Sequence, residues 1–132
     1  MTLRLTPDAL AAAYEYLRTT LPFKRWKLPH ADEVEFHITR HRDREADYDR
    51  YVRGDGHAIK RGDHIIRISA YHVKTTCALL ETLAHEMIHA HQDGAAATRQ
   101  YRVTHNAAFK RLARRVCDAH GWTLSDFIGP AC

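Results

Sequence analysis

Residues 83–90 read Leu83-Ala84-His85-Glu86-Met87-Ile88-His89-Ala90. They sit in a longer stretch, residues 76–91, in which Leu80, Leu83, Ala84, Met87 and Ile88 recur at helical spacing. This pattern predicts one amphipathic helix, with Gly94 as a natural stop. Residues four apart on a helix stand one turn above each other on the same face. His85 and His89 are therefore set to offer imidazole nitrogens to one metal ion. Glu86, next to His85, can reach a water on that ion, which is the arrangement of a zinc hydrolase. A chance match is the competing reading in a chain with eleven histidines. The apolar stripe argues against it, because it leaves both histidines together on a distinct edge of the helix.

Catalytic zinc takes three protein ligands and keeps one position open, so a third ligand is needed. A metzincin would carry glycine and histidine at the positions held here by Gln92 and Ala95. A glutamate ligand on a later helix is excluded, because no glutamate follows Glu86. His91, two residues from His89, points elsewhere on a helix. His105 and His120 remain as candidates. His105 is favoured because it opens a new segment, His105-Asn106-Ala107-Ala108-Phe109, in which Phe109 can pack beneath the imidazole.

Working outward, Thr6-Pro7-Asp8 is a helix start, with a capping hydroxyl, a proline at the first helical position and an acid in the first turn. Leu10, Ala13, Tyr14 and Leu17 give that helix its apolar face, and it should end before Pro22. Phe23 and Trp26 should fold back onto the body. Residues 33–40 alternate Val34, Phe36 and Ile38 with polar groups, the mark of a half-buried strand. Residues 41–50 look like an exposed connection or distorted hairpin, with Tyr48–Arg53 as a candidate strand and Gly54-Asp55-Gly56 as a turn. Residues 64–70 form the clearest second strand. Another helix is predicted over 106–120, with Phe109, Leu112, Ala113 and Val116 inward and Gly121 as its stop. Trp122, Leu124 and Phe127 are candidate anchors for the tail.

The chain has 132 residues, 45% of them apolar, which suits one globular domain over 1–132 with its own core. No run approaches a membrane span, and the N-terminus has no apolar segment of signal-peptide type. A cytoplasmic protein without membrane association is expected. Cys77, Cys117 and Cys132 are too few and too widely spaced for a disulfide framework or a metal knuckle, and read as buried free thiols. The net charge of +4 is unevenly distributed. Residues 31–50 hold seven acids and four bases, 75–98 hold three acids and no bases, and 99–115 hold six bases and no acids. Arg99, Arg102, Lys110, Arg111, Arg114 and Arg115 in that last segment are candidate phosphate contacts. The plainer reading is a solvated helix face.

The two histidine segments, 83–90 and 105–109, resemble the SprT-like metalloprotease domain, the protease type found in Spartan. Ile66-Arg67-Ile68-Ser69 is similar to the strand before that family's catalytic helix, and the resemblance spans roughly residues 10–120. Asn106 stands where the family usually has glycine. The resemblance implies an α+β, zincin-like fold: an N-terminal helix, a small antiparallel sheet, the HExxH catalytic helix and a C-terminal helix. It implies His85, His89 and His105 as ligands to one Zn2+ per chain, with Glu86 as the catalytic glutamate acting on a protein substrate. The cysteine-rich zinc ribbon that many relatives carry is not in this sequence. Non-specific DNA is a candidate partner. Tyr71, Tyr101 and His120 are candidate donors to the oxyanion. Two rival functions follow from the same residues. One is a nucleic-acid binding protein with a structural zinc. The other is a zinc amidase or peptidoglycan peptidase.

Overall fold

The computed structural model describes residues 3–50, 64–95 and 105–128. Helix α1 spans Pro7–Arg18, and Thr6 caps it as expected, its hydroxyl accepting from the Ala9 amide at 3.0 Å. Leu10, Tyr14 and Leu17 are fully buried on its inner face. The Tyr14 hydroxyl donates to the Pro29 carbonyl, so this buried ring keeps its polar end satisfied. Phe23 is also fully buried, following the predicted fold-back after Pro22.

Among the described residues three strands follow: β1 (Val34–Thr39), β2 (Ala46–Arg50) and β3 (His64–Ser69). The sheet order is β1-β3-β2. β2 runs antiparallel to β3, with Tyr48 opposite Ile66, whereas β1 runs parallel to β3, with Phe36 opposite Ile66. The sheet is therefore mixed, which corrects the expected antiparallel sheet. A parallel pair needs a long connection, and here the chain between Thr39 and His64 is long enough to carry β2 before β3 inserts in the middle. The central place goes to the most buried of these strands, in which His64, Ile66, Ile68 and Ser69 are buried. β2 starts at Ala46, inside the stretch read as a connection. Residues 51–53 of the predicted strand and the turn at 54–56 lie outside the described residues.

Helix α2 covers Thr76–Ala95, running through Gly94 where a stop was expected. The Thr75 hydroxyl accepts from the Ala78 amide at its start. Leu83, Ala84, Met87 and Ile88 are fully buried on a helix that packs against α1, β2 and β3. Each of the larger ones contributes roughly 1.5–3 kcal/mol by leaving water. Helix α3 covers Ala107–His120 and buries Phe109, Ala113, Val116 and Cys117. It ends at Gly121, whose φ of 77° is the left-handed conformation that favours glycine. A short helix α4, Leu124–Ile128, follows in the stretch read only as a tail. Trp122 and Leu124 pack against the core, and Phe127 is buried within it. Cys117 is buried as expected, Cys77 is exposed, which corrects the expectation for that thiol, and Cys132 lies outside the described residues. Among the described residues, no helix is long and apolar enough to cross a membrane.

Candidate metal centre

Helical spacing on α2 and the start of α3 bring three imidazoles to one point. His105 Nε2 lies 2.9 Å from His85 Nε2 and 3.3 Å from His89 Nε2. Zinc–nitrogen bonds of about 2.0–2.1 Å at the tetrahedral angle set donor atoms about 3.3–3.4 Å apart. The cluster therefore fits a single Zn2+, and these three residues are a group able to hold one ion.

The protonation states agree with ligation. His85 Nδ1 is 3.2 Å from the Phe127 carbonyl, which can only accept, so Nδ1 carries the proton and Nε2 presents its lone pair. Burial pushes the His85 pKa down to about 4, against the smaller opposing effect of that hydrogen bond. Burial first, and the neighbouring His85 and His105 next, push His89 down to about 3. Both rings are thus neutral at physiological pH, as metal binding requires. Phe109 forms the floor beneath all three rings, with centroids 5.0, 4.7 and 4.4 Å from those of His85, His89 and His105. The packing expected beneath His105 extends to the whole triad.

Asn106 explains the departure from the usual glycine. It is the N-cap of α3, with φ −78° and its side-chain oxygen accepting from the Phe109 amide at 2.9 Å. No positive φ is required there, and asparagine is among the best capping residues.

Glu86 lies on α2 beside His85 and is only 6% exposed. Burial, aided by the charge of Asp47, raises its carboxyl to about 8, which gives it an unusually high proton affinity.

Other sequence candidates sit elsewhere. His120 bonds through Nε2 to the Thr20 hydroxyl at 3.1 Å and stacks on Trp122, so it does not join the triad. His91 stacks on Trp26 at 4.3 Å. Tyr71 is 46% exposed, with Arg42 and Lys74 over its ring. Lys110, Arg111, Arg114 and Arg115 are all exposed on α3. Arg99, Tyr101 and Arg102 lie outside the described residues. The Phe127 carbonyl is the functional group that residue patterns miss, since a backbone acceptor has no residue signature.

An HExxH helix crossed by a third histidine, on a core of helices and a small sheet, defines a zincin-type metalloprotease centre. The chain belongs to the SprT-like family, whose model matches residues 17–126. It has the zinc-dependent metalloprotease fold of that family, which in general terms implies a protein substrate. No curated protein and no solved structure gave a significant match.

Proposed function

We propose that this protein is a zinc-dependent endopeptidase, with residues 1–132 acting as one domain and Glu86 as the general base. The observation that carries this reading is the convergence of three imidazole Nε2 atoms, with a buried carboxyl group on the residue next to His85. When bound, zinc supplies Lewis-acid chemistry, making water a better nucleophile and drawing charge from the scissile carbonyl. The chain's own residues do the rest. His85, His89 and His105 hold the ion through Nε2. Glu86 accepts the proton from the attacking water and delivers it to the leaving amine, so that one water and one peptide bond become a carboxylic acid and an amine. A cytoplasmic setting suits the free thiols Cys77 and Cys117.

The test is zinc content and proteolysis of wild type and His105→Ala. Wild type should hold one zinc per chain and cleave an unfolded protein, with cleavage abolished by a chelator. His105→Ala should lose most of its zinc. Full retention of zinc in that variant would remove His105 from the ligand set. A wall-lytic amidase would instead digest peptidoglycan and leave the protein substrate intact.

A second observation supports DNA-associated proteins as the substrate class. Lys110, Arg111, Arg114 and Arg115 form an exposed basic row on α3, directly after His105. Phosphate contacts of this kind bind without sequence preference and weaken as salt rises. Binding of single- and double-stranded DNA should therefore be compared, across a salt series, between wild type and a folded Arg111→Glu, Arg114→Glu, Arg115→Glu variant. Equal affinities and equal salt slopes would reject this substrate class while leaving the peptidase reading intact.

A further inference from the structure

We propose that α4 is the positioning element for His85, and that the docking of Phe127 sets the zinc affinity of the site. This rests on the reading of His85 as a metal ligand. The contact is specific: His85 Nδ1–H donates to the Phe127 carbonyl at 3.2 Å, and the two rings lie 5.7 Å apart. A five-residue helix cannot hold itself together, because nucleation costs more than one turn returns. The position of that carbonyl is therefore decided by what α4 packs on.

The packing is a run of rings. Phe127, 5% exposed, lies nearly parallel to Trp122 with centroids 5.8 Å apart. Trp122 stacks on His120 at 4.7 Å, and His120 is tied to Thr20 at the far end of α1. Gly121 makes this return possible by reversing the chain in the left-handed conformation right after α3. The Phe127 amide is itself fixed, donating to the Thr123 carbonyl at 3.0 Å. The acceptor that orients His85 is thus held by tertiary contacts that reach the turn after α1. Undocking α4 would free the His85 ring to rotate and would remove the preference for the Nδ1–H tautomer. Both changes weaken the ligand without altering any residue of the triad.

Losing a hydrogen-bond partner of a metal-bound histidine typically costs about 10- to 100-fold in metal affinity. The experiment measures zinc affinity by competition with a chromophoric chelator for wild type, Phe127→Ala and Phe127→Leu. Alongside it, proton–nitrogen NMR of the zinc-loaded proteins reports the His85 tautomer and the exchange of its Nδ1 proton. Expected are a slowly exchanging His85 Nδ1–H in wild type and its loss in Phe127→Ala, with zinc weakened about 10- to 100-fold. Phe127→Leu, which keeps enough bulk to dock the helix, should recover most of the affinity. A purely packing role would lower the melting temperature of Phe127→Ala yet leave zinc affinity and the Nδ1 proton unchanged, and that result would overturn the proposal. So would a wild-type His85 whose Nδ1 is unprotonated, a measurement that decides the matter even if Phe127→Ala does not fold. A wild type that binds no zinc would overturn the ligand reading itself, an outcome distinct from unchanged affinity in the variant.

Discussion

Replacing Glu86 by glutamine in the zinc-free protein should make it more stable, and increasingly so as pH rises. The carboxyl titrates near 4.5 when exposed and near 8 in the fold, mainly because it is buried. The sign follows from linkage: a folded state that binds the proton more tightly is favoured at low pH and loses that advantage as pH rises through the folded value. Below about pH 4.5 the two proteins should therefore be close in stability. At pH 7 the buried carboxyl costs roughly 3 kcal/mol, and above pH 8 roughly 5 kcal/mol, at about 1.4 kcal/mol per pH unit. The assay is urea unfolding of chelator-stripped wild type and Glu86→Gln at acidic and alkaline pH. Histidine titrations occur in both proteins and cancel in the difference. Zinc should narrow the alkaline gap, because a nearby cation favours the carboxylate. A stability difference independent of pH would show that the Glu86 carboxyl is solvated and would remove the basis for its raised proton affinity.

Three further outcomes are expected. In zinc-free Glu86→Gln, where the opposing Glu86 titration is absent, stability should fall as pH drops from 6.5 towards about 4, because His85 and His89 titrate at about 4 and about 3 in the fold and bind more protons when unfolded; melting temperatures across that range check it, and His85 alone is worth roughly 3 kcal/mol. Phe109→Ala removes a fully buried ring and the floor under the triad, so urea unfolding should show a loss of about 3–5 kcal/mol and zinc titration a weaker site. Asn106→Ala should cost about 1 kcal/mol in the same unfolding assay, whereas Asn106→Gly should cost only about a few tenths, since glycine is tolerated at an N-cap.

Much of the site was legible because the relevant signals are local. The i, i+4 spacing of His85 and His89, the apolar stripe through Leu83 and Ile88, the Thr6 cap and the Gly121 stop each declare themselves within a few residues. His105 was legible through its place ahead of Phe109, which is where the ring floor forms. What escaped depends on partners distant in sequence. Period-two alternation in β1 tells which face is buried but not that its neighbour would be β3, nor that they would run parallel. Helix α4 is too short to show a period. His120 looked available, yet it is stacked on Trp122 and bonds to Thr20 across 100 residues of chain. The Phe127 carbonyl was invisible because every residue carries one.

The central claim is that the triad holds zinc while Glu86, beside it, moves the proton. The most direct measurement compares wild type and Glu86→Gln, both loaded with zinc, for metal content and for cleavage of an unfolded protein at neutral pH. Both proteins should carry one zinc per chain, because His85, His89 and His105 are intact. Cleavage by Glu86→Gln should be about 100- to 10,000-fold slower, the span expected for losing a general base. Equal cleavage by the two proteins at equal zinc content would contradict the account.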